Sequence, residues 1–224
     1  MDQSWRHTKV WDAWIRLFHW ALVALIATSW WTAQIGNWRL HFLSGYAILA
    51  LLGFRILWGL LGSDTARFRR FLRSPAAVLR YLGGMFRRGP DTEAGHNPAG
   101  GWMVVVMLAL LAAQVGTGLF ADPDDYVVRG PFAGLIDSGT SYAVAGWHFR
   151  LFNVLLAAIG LHVLAILAYR LVKRHDLLGP MLTGRKRMPP ETRAPRLAHP
   201  LLGALLFVLA AGAAYALSRY GAAP

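Results

Sequence analysis

The run WHFRLFNVLLAAIGLH, residues 147–162, is almost wholly apolar yet carries His148 and His162, fourteen residues apart. Two further histidines, His19 and His41, fall in other apolar runs. Imidazole is the commonest side-chain metal ligand, and an ionisable group within an apolar span is costly enough to face a protected interior. The chain has no cysteine. That excludes disulfides, thiolate metal sites, iron–sulfur clusters and the C-x-x-C-H attachment of c-type haem, and leaves His, Met or carboxylate as ligands. Met103 and Met107 are read as core.

The elements that must hold these groups are apolar blocks of about 20 residues, the length that crosses roughly 30 Å of hydrocarbon at 1.5 Å per residue. Five are visible, at about 15–35, 41–61, 102–120, 147–172 and 201–218, in a chain of 224 residues that is 56% hydrophobic with ten Trp. The composition predicts an all-α integral membrane protein, a four-helix bundle with a fifth C-terminal span. The first block holds Arg16 and His19, runs on through LVALIATSWW and shows no small-residue cleavage site, so a membrane span is expected there and not a cleaved signal peptide.

The net charge of +12 follows topology and not nucleic-acid binding. Arg6, Lys9 and Arg16 stand at or before the first span. Arg67, Arg69, Arg70, Arg73, Arg80, Arg87 and Arg88 crowd the second loop, and Lys173, Arg174, Arg185, Lys186, Arg187, Arg193 and Arg196 follow the fourth span. The other loops offer Arg39, and Arg129 beside Asp122, Asp124, Asp125 and Asp137. The positive-inside rule then puts the N terminus, the second loop and residues 173–199 in the cytoplasm, and the C terminus on the outer side of the membrane.

This topology sorts the histidines by depth. His19 opens an outward-going span and lies near the cytoplasmic face; His41 and His148 open inward-going spans and lie near the outer face. His162 is ~21 Å deeper than His148, and fourteen residues at ~100° fall about 40° short of four turns, so both share one helix face. The expected pairs are His41 with His148 outside and His19 with His162 inside. Two imidazoles from facing helices suit a haem iron with both axial positions filled, which changes redox state without binding oxygen. Two such haems would form a wire across most of the bilayer, with one ligand of each on the fourth helix. The other histidines, His7, His96, His175 and His199, are expected in loops and interfaces.

Arg55, fourteen residues after His41, shares its face at the inner depth and is a candidate partner for haem propionates, or else snorkels to the interface. Arg150, two residues after His148, stands in the same relation to the outer haem or to the headgroups. Ser44, Gly45 and Gly160 beside the ligands allow close approach of a flat macrocycle, or ordinary helix packing.

The segments VWDAWIRLFHW, LHFLSGYAILALLGFRILWG, GHNPAGGWMVVVMLALLAAQVGTGLF and WHFRLFNVLLAAIGLH together resemble the bacterial cytochrome b561 family, which includes the b-type cytochrome subunits of membrane-bound nickel–iron hydrogenases. The resemblance runs over about residues 8–185. It implies bis-histidine haem ligands on the first, second and fourth helices, falling here on His19, His41, His148 and His162. The family's minimal members end after the fourth span, whereas this chain adds HPLLGALLFVLAAGAAYALSRY, which has no His and no acid and is expected to pack on the bundle or a partner. The expected division is a di-haem domain at 1–185, a basic, Pro-containing linker at 186–200 and the extra span at 201–224.

No Ser–His–Asp set, paired carboxylates, phosphate-binding glycine loop or nucleotide fold is present. The resemblance implies electron exchange between the quinone pool, ubiquinone or menaquinone, and an outer-face partner such as a periplasmic cytochrome c or a hydrogenase. Asp122, Asp124 and Asp125 could steer a basic cytochrome, and Arg55, His96 and Asn97 are candidate quinone groups. One alternative is a self-contained superoxide:ubiquinone oxidoreductase, with Arg39, Arg129 and Arg150 as its funnel. A haem-free, His-based metal transporter is a third reading, opposed by spans that hold no internal Asp, Glu or Pro.

Overall fold

Each of the first four spans starts at an Asx residue whose side chain caps it. Asp12 Oδ1 accepts from Ile15 N (2.8 Å), Asn37 Oδ1 from Leu40 N (3.2 Å), Asn97 Oδ1 from Gly100 N (2.8 Å) and Asp137 Oδ1 from Thr140 N (2.9 Å). A cap three residues upstream of an otherwise unpaired N–H is the standard way to satisfy a helix N-terminus. Pro98 occupies the first helical position of its span, where the missing N–H costs nothing, and Pro200 does the same for the fifth.

The computed structural model describes residues 5–84, 89, 91–123 and 128–220. Its elements are β1 (Arg6–Lys9), α1 (Ala13–Gln34), α2 (Trp38–Leu61), the short α3 (Phe68–Phe71) and α4 (Pro75–Gly83), α5 (Pro98–Phe120), α6 (Ser138–Ala168), α7 (Leu178–Thr183), β2 (Arg185–Met188) and α8 (Pro200–Tyr220). A π-helical turn, Tyr169–Lys173, prolongs α6. Among the described residues five helices are long and apolar enough to cross a membrane: α1, α2, α5, α6 with its π turn, and α8. Their outer faces expose Leu17, Leu60, Leu164, Leu201 and Val208, as a lipid-facing surface requires. The fourth span begins nine residues before the expected Trp147. SGTSYAVAG is not apolar enough to announce itself, yet it continues the helix from the Asp137 cap.

The chain forms two compact units. Unit 1 comprises Met1–Phe18, Arg55–Val106 and Gly160–Ala204; unit 2 comprises His19–Phe54, Met107–Ile159 and Leu205–Pro224.

Unit 2 is built on a dry cluster of Ile48 and Leu52 from α2, Leu111 from α5 and Leu155 from α6, backed by Leu22, Leu25 and Ile26 of α1. Ile48 and Leu155 each lie seven residues after a histidine, about two turns along the same face and ~10 Å deeper. The fifth span packs here too. Phe207 meets Phe54 edge-on with centroids 6.0 Å apart, and a Cβ at Gly53 would just touch Ala210.

Unit 1 is tied together by hydrogen bonds as well as by buried apolar side chains such as Val10, Phe71 and Met188. The buried Trp58 indole donates to Asp12 Oδ2 (3.2 Å), and Thr65 Oγ1 donates to the carbonyl of the fully buried Val10 (2.7 Å). β1 and β2 pair antiparallel, with Arg6 opposite Met188 and Lys9 opposite Arg185. Gly184, at φ +80°, makes the turn into β2, and its carbonyl accepts from the N–H groups of Val10 and Trp11. Between β2 and α8 the chain is pinned: Arg196 N donates to Asp64 Oδ2 (3.2 Å) and Ala198 N to Ser63 Oγ (3.0 Å). The fifth span reaches this unit as well. Trp14 Nε1 donates to the Pro200 carbonyl (3.0 Å), and any side chain at Gly203 would collide with that indole.

Candidate haem site

In unit 2, His41 of α2 and His148 of α6 face each other. Their ring centroids are 6.3 Å apart and their planes cross at 83°. Both imidazoles are anchored through Nδ1. That of His41 donates to the Ser29 carbonyl of α1 (2.9 Å), with Ser29 Oγ at 3.3 Å; that of His148 donates to the Gln114 carbonyl of α5 (3.0 Å). A carbonyl only accepts, so both Nδ1 atoms carry the proton and both Nε2 atoms keep their lone pair. This is the arrangement by which a backbone carbonyl fixes the tautomer and direction of a metal-ligating histidine.

α5 supplies no histidine but shapes the pair. A Cβ on Gly118 would lie 2.9 Å from His148 Cε1, so only glycine leaves room for the ring. The Gln114 amide nitrogen stands 3.2 Å from His148 Nε2 and 3.3 Å from its Nδ1, while Gln114 Oε1 is buried with no hydrogen-bond partner. Thr117 Oγ1 lies 3.3 Å from His148 Nδ1. Sequence reasoning missed Ser29, Gln114, Thr117 and Gly118. The one signal was a polar, glycine-rich QVGTG inside an apolar span.

The geometry fits a haem. His41 and His148 would hold a haem iron between their facing rings, each ring oriented by the carbonyl at its Nδ1. Among the described residues no set of three or more His, Asp or Glu converges as a bare metal ion would need, whereas a porphyrin-held iron asks the protein for two axial ligands only.

His19 belongs to unit 2 and His162 to unit 1. Both rings are half-buried, and His19 meets Trp20 edge-on at 4.8 Å. Arg55, also in unit 1, is 2% exposed and does not snorkel; its guanidinium carbon lies 4.8 Å from the Phe68 ring centroid, and its Nη1 is buried without a hydrogen-bond partner. Gly59 makes room for that Phe68 ring. An orphaned, buried guanidinium N–H is what a haem carboxylate would satisfy.

His96, expected as a plain interfacial residue, is held more closely. Its ring sits 4.8 Å from both Trp11 and Phe71, and its Nδ1 is buried without a hydrogen-bond partner. Burial first, then the charges of Arg55 and His162, push its pKa down to about 3, so the ring is neutral at physiological pH. Asn97 is committed elsewhere. Its Oδ1 caps α5 and its Nδ2 donates to the Tyr169 hydroxyl (3.0 Å), which pairs with that of Tyr81 (2.5 Å).

Arg150 is exposed, with its guanidinium carbon 5.4 Å from the Trp147 ring centroid. Between α5 and α6, Arg129 Nε is paired with Asp122 Oδ2 at 2.9 Å. That pair neutralises one aspartate of the proposed steering cluster and one arginine of the proposed funnel. Asp124 and Asp125 lie outside the described residues.

Comparison with curated proteins and with solved structures finds no match. A family model described as prokaryotic cytochrome b561 matches residues 10–184, which include His19, His41, His148 and His162. With a match over most of its length, the chain belongs to the prokaryotic cytochrome b561 family.

Proposed function

We propose that the chain carries two b-type haems, one on His41 and His148 and one on His19 and His162, and passes electrons between the membrane quinone pool and an acceptor or donor at the outer face. Family membership makes it a membrane-bound b-type cytochrome of electron transfer; the haem number, ligands, quinone and partner are our reading. The observation that carries it is the His41–His148 pair, crossed at 6.3 Å with both Nδ1 atoms tied to carbonyls.

A haem iron with two imidazole ligands supplies one-electron redox chemistry with no open position for oxygen. The chain's own residues do the rest. Ser29 and Gln114 hold the imidazoles in one tautomer, and Gly118 keeps His148 in place. Leu111, Leu155, Ile48 and Leu52 exclude water two turns deeper, which keeps the local dielectric low. The second pair rests on helical depth: His162 repeats His148 after nearly four turns, and His19 sits at the matching end of α1. At that depth Arg55 offers an unsatisfied N–H to a haem carboxylate, and His96 offers a neutral imidazole to a quinone carbonyl.

Single alanine substitutions of the four histidines test this reading. His41→Ala and His148→Ala should each remove the same one of two haems, with identical residual spectra. His19→Ala and His162→Ala should each remove the other. Residual spectra that pair the histidines differently, or full haem content after any one substitution, would overturn the assignment.

A further inference from the structure

The two strands of unit 1 carry an energetic anomaly. In the β1–β2 ribbon His7 stands opposite Arg187 and Lys9 opposite Arg185, all four exposed on one face, while Lys186 and Met188 turn inward. Like charges directly opposite on a strand pair, as Lys9 and Arg185 are, destabilise it. The ribbon also forms one wall of a cavity of about 720 Å³, which Lys173, Arg174 and Asp176 line from the end of α6 and Gly179 and Thr183 from α7.

The acids of this cavity are already engaged. Asp91 Oδ1 accepts from the buried Lys186 at 2.7 Å, and Asp176 Oδ1 accepts from Arg170 (3.3 Å) and from Gly179 N (3.0 Å). Five Lys and Arg side chains face two Asp in its lining, so three cationic charges are left over before His7 and His175 are considered. Lys173 is held in place over the rings of Tyr81 and Tyr169, 5.4 and 5.5 Å from their centroids. Arg174, at φ +57°, is the one non-glycine residue with left-handed backbone among the described residues. Such strain persists only where the surroundings fix it, and it gathers at ligand sites. It ends the π-helical turn, itself a frequent mark of function.

We propose that this cleft binds a phosphate-bearing anion, presented either as the headgroup of an anionic phospholipid or as a free phosphate ester. The phosphate oxygens take the place of the missing carboxylates between Arg174, Arg185 and Arg187, and relieve the repulsion across the ribbon. Leu171, Leu178 and Leu182, 74%, 45% and 56% exposed beside the lining residues, give acyl chains a surface to lie on.

The test uses the full-length haem-loaded protein in neutral detergent, with Arg185→Gln/Arg187→Gln as the variant and an unchanged haem spectrum as its folding control. Native mass spectrometry with phosphatidylglycerol against phosphatidylcholine reads the lipid arm; thermal stabilisation by pyrophosphate reads the free-anion arm. A lipid site predicts retention of phosphatidylglycerol alone, weakened about fivefold for each arginine removed, and no response to pyrophosphate. A free-phosphate site predicts stabilisation by pyrophosphate that the variant loses. Without any anion, the variant should melt no lower than the parent, because the like-charge pair of Lys9 and Arg185 is gone. Binding of neither probe, or equal binding to parent and variant, would overturn the proposal.

Discussion

Gly118 and His148 share one space: a Cβ on the glycine would sit 2.9 Å from the imidazole Cε1. The conformation of Gly118 is ordinary, so its identity is a packing requirement set by a histidine on another helix. Gly118→Ala should push the ring out of line with His41, at a cost of about 1–3 kcal/mol of overpacking, and should displace or lose one of two haems. Gly116, two residues away, has nothing within 4 Å of a built Cβ. Gly116→Ala should leave haem content unchanged, and pyridine haemochromogen quantification of both variants checks the contrast.

Asp12 holds α1 and α2 together at the base of unit 1. It caps Ile15 N and accepts from the buried Trp58 indole. Asp12→Ala removes a cap worth about 1 kcal/mol and leaves a buried donor unsatisfied at about 1–3 kcal/mol. A fall of about 2–4 kcal/mol in stability is expected by denaturant titration in detergent. Asp12→Asn, which keeps an acceptor in place, should lose much less.

Arg55 is buried with an unused N–H, and on the proposed reading it lies at the depth of the haem on His19 and His162. A fixed positive charge near a haem favours its reduced form. Arg55→Met should therefore lower one of the two midpoint potentials by several tens of mV and leave the other in place. Redox titration followed at the visible bands would show this, and equal shifts in both would place Arg55 near neither haem in particular.

His96 makes stability depend on pH. Its pKa is about 3 folded and 6.5 in its ordinary state, so between these values the unfolded chain binds the extra proton. Stability is then complete above about pH 6.5 and falls as the pH drops toward 3. His96→Leu should flatten the decline in melting temperature below pH 6.5, read by thermal melts in buffers of constant ionic strength.

The histidine spacing and the five spans are legible in the chain, because hydrophobic length and ligand type leave a mark on sequence. The ribbon is not. RHTK and RKRM are short and cationic, with none of the apolar alternation that marks a strand, and they pair only because Gly184 turns the chain back onto Val10 and Trp11. The shaping of His148 by α5 is equally hidden, since Gln114 and Gly118 act through positions that tertiary packing alone brings to the imidazole. His96 looked like a loop residue for the same reason: Trp11 and Phe71, which enclose it, are far away in sequence.

The most direct test of the central claim is a low-temperature electron paramagnetic resonance spectrum of the oxidised protein, with haem quantified on the same sample. Imidazole planes crossed at 83° predict a highly anisotropic low-spin signal for a haem held by His41 and His148, within a total of two haems per chain. A high-spin signal, or a single haem, would contradict the account.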